Sequence, residues 1–175
     1  GSDVFCPASQ AYTNVTANLS AQHYAHGACA QFNGLGLWTS DFSYYPQGWR
    51  ADLHPRVLGD VNGDGKADII GFGYGGVLVA LSNGSGFEPV TSWTTDFSYN
   101  QGWRMELYPR LVGDVNGDGK ADVIWRNTSG TVAVWLMNGV TVTSVGFPGS
   151  ASTDFQIAGV GDVSGDGKAD LVFRN

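Results

Sequence analysis

Cysteine is nearly absent from this chain of 175 residues: only Cys6 and Cys29 occur, both near the start. A dense disulfide framework is therefore excluded, and the expectation is one bridge between the two, closing a loop of moderate length. The alternative is a pair of free or buried thiols. Long apolar runs are missing too, so no segment has the length of a membrane-spanning helix. The first residues show neither the basic start nor the apolar stretch of a secretory leader. Basic residues are scarce, with nine Lys and Arg against sixteen Asp and Glu and a net charge of −7. All three lysines lie inside acidic loops, which leaves no basic stripe for nucleic acid. Neither the nucleophile-elbow pattern nor a zinc-protease pattern occurs. The expectation is a chain with no catalytic apparatus, no nucleic-acid partner and no membrane insertion.

What is present is repetition. Leu58 to Ile70 reads Leu-Gly-Asp-Val-Asn-Gly-Asp-Gly-Lys-Ala-Asp-Ile-Ile; it returns 54 residues later as Val112 to Ile124 and 48 residues after that as Val160 to Val172, with Ser164 in place of the Asn. A period of this size is the signature of an array of like units. Nine of the sixteen acids sit in the three loops, so the acidity is local. Three divalent cations would bring the net charge to about −1.

Around each loop the apolar residues alternate, as in Arg56-Val57-Leu58 before the first and Ala67 to Phe72 after it, which predicts two strands joined by a hairpin. Gly76 to Leu81 and Thr131 to Leu136 alternate likewise and precede Asn-Gly turns, giving a third strand. Phe87 to Trp93 and Val140 to Phe147 supply a fourth. One repeat is then a four-stranded antiparallel sheet, the size of a propeller blade. Ala28 to Phe32 and Leu35 to Thr39 read as strands three and four of a blade without its first half, and Asp170 to Asn175 completes only a second strand. The fold class is all-β with integrin-like propeller blades, about three blade equivalents per chain, too few to close a ring; either a second copy completes it in a head-to-tail homodimer or the chain is a piece of a longer one. Residues 1–34 form a separate N-terminal segment, and residues 35–175 hold the repeats, with loops at 60–68, 114–122 and 162–170.

The loop pattern Asp-x-Asn/Ser-x-Asp-Gly-x-x-Asp places oxygen donors at positions one, three, five and nine, with a backbone carbonyl at seven and a glycine for the sharp turn at six. The candidate ligands are Asp60, Asn62, Asp64, Lys66 and Asp68; Asp114, Asn116, Asp118, Lys120 and Asp122; and Asp162, Ser164, Asp166, Lys168 and Asp170. The lysines contribute through their carbonyls. Hard oxygens without His or Cys select calcium, about three ions per chain. An EF-hand begins the same way but needs a Glu at position twelve, where this chain has Gly71, Trp125 and Phe173. These loops with their flanking strands resemble the FG-GAP or VCBS repeat of integrin-like β-propellers, over roughly residues 35 to 175. The resemblance implies calcium in the hairpin between strands one and two of each blade.

A second block repeats between the blades. Trp38 to Arg50 contains Asp41-Phe42-Ser43-Tyr44-Tyr45-Pro46-Gln47-Gly48-Trp49-Arg50, followed by Leu53-His54-Pro55-Arg56; it recurs as Trp93 to Arg104, followed by Leu107-Tyr108-Pro109-Arg110. Long connections on rigid scaffolds commonly carry function. Aromatic faces stack on the apolar faces of sugar rings, while Arg, His and Gln reach the hydroxyl and acyl groups. The competing reading makes Trp49 and Trp103 packing plugs between blades. Phe-Ser-Tyr-x-Gln-Gly-Trp-Arg followed by His-Pro-Arg and Gly71 to Val77 resembles the Psathyrella velutina lectin type of integrin-like propeller, over about residues 38 to 110. That resemblance implies N-acetylglucosamine-type pockets between blades, one built from Trp49, Arg50, His54 and Arg56 and its neighbour from Trp103, Arg104, Tyr108 and Arg110. The third repeat lacks the Gly-Trp-Arg block and resembles bacterial FG-GAP repeats instead.

The functional expectation is a secreted, calcium-binding, lectin-like module whose partner is a carbohydrate or glycoconjugate. Two alternatives remain open. Cys6 with Tyr24-Ala25-His26 and Cys29 resembles the C-terminal extensions of secreted polyester depolymerases, which implies an accessory domain of a hydrolase. The FG-GAP resemblance equally allows an adhesion scaffold that binds protein.

Overall fold

The structure, a computed structural model, describes residues 38–44 and 47–175. The expected strands at 28–32 and 35–37, the Cys6–Cys29 bridge and the N-terminal segment lie outside the described residues. Trp38 and Thr39, the end of the expected strand at 35–39, are not in a strand.

Ten strands follow one another among the described residues of the compact unit Thr39–Asn175. Strands β1 (Arg56–Gly59), β2 (Asp68–Phe72), β3 (Val77–Ala80) and β4 (Thr91–Thr94) form a four-stranded antiparallel sheet in chain order. Strands β5 (Arg110–Gly113), β6 (Asp122–Arg126), β7 (Thr131–Asn138) and β8 (Thr141–Ser150) repeat it. Strands β9 (Gln156–Gly161) and β10 (Asp170–Arg174) pair as the front half of a third sheet. The blade-like sheets and the half sheet at the C-terminal side are those the alternation predicts.

Register follows from the loops. Gly59 pairs with Asp68, Gly113 with Asp122 and Gly161 with Asp170, so all three hairpins close over the same residues of the pattern. Central strands are covered on both faces: Ile70 and Phe72 of β2 are buried, as are Val77, Val79 and Ala80 of β3. That is why these strands read as near-continuous apolar runs. The outermost β8 is exposed along almost its whole length.

Neighbouring sheets meet through their first strands, β1 against β5 and β5 against β9. A glycine sits at the close approach each time. A Cβ on Gly59 would stand 2.9 Å from Val112 Cγ2, and one on Gly113 would stand 2.5 Å from Val160 Cγ1. The backbone is stapled at the same points, with the Ala121 N–H donating to the Asp60 carbonyl and the Ala169 N–H to the Asp114 carbonyl, both at 2.6 Å. The first interface buries Val61, Val79, Val123 and Met137 with Phe97, and Trp103, Trp125 and Trp135 pack around them.

After the fourth strand the chain turns a corner written Thr/Ser-x-Asp-Phe. The hydroxyl oxygens of Thr39, Thr94 and Ser152 accept from the Asp41, Asp96 and Asp154 N–H groups at 3.0, 3.1 and 3.3 Å. Phe42 and Phe97 take φ of 59° and 60°, a conformation costly for a side chain of this size. Burial of both rings holds it in place.

Two expectations for the fourth strands need correction. In the first sheet this strand is Thr91–Thr94 rather than residues 87 to 93. Asn83 Oδ1 accepts from the Ser85 and Gly86 N–H groups and winds that stretch into a turn, Phe87 pairs with Ser82 as an isolated bridge outside the strands, and Pro89 has no N–H to pair. In the second sheet the strand runs to Ser150. The aromatic block also contains an unforeseen 3-10 turn, Tyr99–Gln101.

Because the joint at Gly113 has no room for a methyl group, Gly113→Ala is expected to cost about 1–3 kcal/mol through overpacking, read as a lower urea midpoint. An unchanged midpoint would contradict the close approach of β5 and β9.

Candidate functional site

The three aspartate loops are built alike. Glycines at positions four and six carry φ between 80° and 84°, from Gly63 and Gly65 to Gly165 and Gly167. These turns wrap backbone amides around the first aspartate. Asp60 Oδ1 accepts from the Gly63 and Asp64 N–H groups and Oδ2 from Gly65 N–H, and Asp114 and Asp162 repeat the set. The Gly167, Gly165 and Asp166 amides hold the Asp162 carboxyl below its usual range. Asn62 Oδ1 accepts from Asp64 N–H, while Asp64 accepts from the Lys66 amide and pairs with its ammonium at 2.9 Å. That contact holds the Asp64 carboxyl below its usual range.

The ninth-position aspartates are placed differently. Asp68 and Asp122 are both 0% exposed. Each accepts one N–H from the start of its own loop, Val61 or Val115 at 3.0 Å, and one from the end of the third strand, Ser82 at 2.7 Å or Met137 at 2.8 Å. Burial pushes the Asp122 carboxyl up despite the Met137 and Val115 amides. Among the described residues no three His, Cys, Asp or Glu side chains gather as a ready metal cluster. The donor chemistry nevertheless fits a hard cation: Asp60, Asn62 and Asp64 present oxygens within one tight turn, and a carboxylate oxygen that accepts one N–H keeps a lone pair.

The first aromatic block frames a recess of about 320 Å³, lined by Gln47, Trp49, His54, Gly73, Tyr74 and Leu78 among others. Trp49 is buried edge-on against Phe42, 5.0 Å between ring centres, and against His54 at 5.5 Å. Gly71 makes this possible, because a Cβ there would stand 2.6 Å from Trp49 Cη2 and 2.7 Å from Phe42. His54 is 1% exposed. Its Nδ1 accepts from the Arg50 N–H at 3.1 Å, which places the proton of the neutral ring on Nε2. Nε2 has no partner among the described residues. Burial first, and the Arg56 charge second, hold this imidazole below its usual range, so it stays neutral and keeps that donor. Tyr74 stands 46% exposed with its ring 4.2 Å from His54, and Tyr99 lies 5.5 Å beyond it.

Of the four residues expected in this first pocket, Trp49 and His54 line the recess. Arg50 is exposed and paired with Asp52 at 2.7 Å. Arg56 is exposed with its guanidinium 6.0 Å from the Trp49 ring. Tyr74 and the Gly73 to Gly76 backbone belong to the Gly71 to Val77 run that carries the lectin resemblance, but they were not among the expected pocket residues.

The second block does not copy the first. Trp125 occupies the position of Gly71, and Trp103 packs 5.2 Å from it, 4.8 Å from Phe97 and 5.2 Å from Tyr108. Arg110 is buried with its guanidinium over Phe72 and Trp103, donates to the Phe97 carbonyl at 2.9 Å, and is pulled by burial to a pKa of about 10. Arg104 lies over the Tyr99 ring at 3.6 Å and donates to the Tyr99 carbonyl. Trp103 packs against the core cluster around Phe97 and Arg110 is buried beside it, while Arg104 and Tyr108 are half-buried at their edge.

Comparison with known proteins fits this picture. Residues 114–173 match the FG-GAP-like repeat family. No curated protein matches the sequence. A solved Agrocybe aegerita lectin, described for specific recognition of non-reducing terminal N-acetylglucosamine, is 34% identical with a TM-score of 0.64 over 77% of this chain. The match covers 36% of that lectin, so the chain spans little more than a third of its length. Residues 114–173 thus hold an FG-GAP-like repeat, in a chain folded as blade-like antiparallel sheets of the β-propeller type.

Proposed function

We propose that this chain is a non-catalytic carbohydrate-binding module of the lectin kind, which takes N-acetylglucosamine-type sugars in the recess of Trp49, His54 and Tyr74. The observation that carries this reading is the recess itself: an aromatic wall surrounding one buried imidazole whose Nε2–H has no partner. An unmet buried donor costs roughly 1–3 kcal/mol, and a ligand oxygen at that point recovers it. The acyl oxygen of an acetamido group, or a ring hydroxyl, is such an acceptor. The ring of Tyr74 offers a face for the apolar side of a pyranose. Identity to a lectin that recognises terminal N-acetylglucosamine supports the same sugar class.

In this reading the aspartate loops are structural calcium sites. Asp60, Asn62, Asp64 and the Lys66 carbonyl hold one ion with Asp68 behind them, and the loops at 114–122 and 162–170 hold the other two. The ion would gather like charges that otherwise repel along a short turn. Loops of this charge suit the calcium concentrations outside cells, consistent with a secreted protein.

Tyr74→Ala is expected to weaken binding of an N-acetylglucosamine-terminated glycan about two- to twelvefold by calorimetry, since one aromatic stacking contact contributes about 0.5–1.5 kcal/mol. Its melting temperature should not move, whereas Trp103→Ala should lower it. Unchanged affinity in Tyr74→Ala would reject the recess as the site. Chelation of calcium should lower the melting temperature and added calcium restore it, by about 2.7 kcal/mol per site at a hundredfold excess over Kd. A melt indifferent to chelator would remove the ions from the account.

A further inference from the structure

Five Asn-Gly pairs occur in the chain: Asn33-Gly34, which lies outside the described residues, and Asn62-Gly63, Asn83-Gly84, Asn116-Gly117 and Asn138-Gly139. An asparagine followed by glycine carries latent chemistry. With no side chain in the way, the backbone nitrogen of the glycine can reach the asparagine Cγ. Hydrogen bonds that fix the side-chain amide and that nitrogen hold the reaction back, so the four described pairs differ by what restrains them.

Three are restrained at both reacting ends. In the first aspartate loop Asn62 Oδ1 accepts from the Asp64 N–H at 3.0 Å and Asn62 Nδ2 donates to Asp64 Oδ2, while the Gly63 N–H donates to Asp60 Oδ1 at 2.7 Å. The second loop repeats all three contacts around Asn116 and Gly117. In the turn after β3, Asn83 Oδ1 accepts from the Ser85 N–H, the Ser85 hydroxyl and the Gly86 N–H. Asn83 Nδ2 donates to Glu88, and the Gly84 N–H donates to the Ser82 hydroxyl oxygen.

Asn138 is the exception. It stands exposed at the tip of the hairpin of β7 and β8, and neither its side chain nor the Gly139 N–H has a hydrogen-bond partner among the described residues. Its backbone is paired through the Asn138–Thr141 rung, the last before the two-residue loop in which Gly139 takes φ of 59°.

We infer that Asn138 is a site of spontaneous covalent modification, the one among these four at which the folded protein leaves the reaction open. The Gly139 nitrogen gives up its proton to hydroxide and attacks Asn138 Cγ. The bond from Cγ to Nδ2 breaks, the side-chain nitrogen leaves as ammonia, and a five-membered succinimide closes. Water then opens the ring at one carbonyl to aspartate or at the other to isoaspartate, whose main chain runs through the former side chain. Either product places a new carboxylate beside the exposed Val140. Isoaspartate also adds a carbon to the main chain and removes the last rung of the hairpin. The change stops one residue back, because the Met137 N–H is held by the buried Asp122 carboxylate at 2.8 Å. The same chemistry at Asn62 or Asn116 would distort an aspartate loop, and there the fold restrains it.

Peptide mapping of the full chain, kept folded in mildly alkaline buffer and sampled over time, tests this. Trypsin places the four asparagines on separate peptides, and each conversion is read as the mass gained when water replaces ammonia. Asn138 is expected to convert roughly tenfold or more faster than Asn62, Asn83 and Asn116, each of which must first break at least two hydrogen bonds. In concentrated urea the four rates should converge, since all four share the Asn-Gly sequence and folded contacts alone separate them. Asn138→Ser should remove the early mass gain from its peptide, which also holds Asn127. A folded Asn138 that converts no faster than the loop asparagines, an order of rates that persists in urea, or a mass gain retained by Asn138→Ser would each overturn the inference.

Discussion

The buried carboxylates of Asp68 and Asp122 hold the architecture together. Each sits in the interior with no ion-pair partner among the described residues, and backbone amides point at both of its oxygens. Hydrogen bonds to an ionised group contribute about 1.5–3 kcal/mol apiece, enough to offset part of a desolvation cost that is otherwise prohibitive. One amide comes from the hairpin between strands one and two, the other from the end of strand three. A single side chain thereby fixes three strands in register. It also sets the acidic loop at the position from which its first carbonyl reaches the next sheet.

That arrangement explains why the aspartate pattern carried so much information. Three copies of a loop with glycines at fixed places dictate three hairpins with one register, and the alternation on either side dictates strands. The third strand was legible as well, since the strand-prone runs Val77 to Ala80 and Thr131 to Leu136 lead into Asn83-Gly84 and Asn138-Gly139. The fourth strand of the first sheet was less so, because its residues pack on one side only and the preceding Asn83 diverts the chain into a turn. The ninth aspartate looked like a further metal ligand; its service to the third strand depends on Ser82 and Met137, which are far away in sequence and carry no mark of that role.

The aromatic blocks show where repetition misleads. Trp49 and Trp103 occupy matching places and have similar neighbours in sequence, yet one lines a recess and the other fills an interface. The difference arises some twenty residues downstream, at Gly71 against Trp125. Glycine leaves room for Trp49 to lie against the sheet, while an indole at the same position occupies that volume and adds its own edge to the cluster around Phe97. Substituting Tyr108 for His54 and burying Arg110 complete the conversion from recess to brace. Sequence likeness within the chain located both blocks, and only side-chain volume across the sheet separates their roles.

In the proposed reading the corner and its aromatic block serve the ligand, while the loop and first strand form the joint between sheets. The claim beneath both is that the ninth aspartates lock loop to third strand. Amide hydrogen exchange at Ser82 and Met137 reads that lock directly. The account predicts that these two N–H groups, although they end a strand beside exposed turns, exchange as slowly as amides in the centres of β2 and β6. Exchange as fast as that of the loop glycines Gly63 and Gly117 would contradict it.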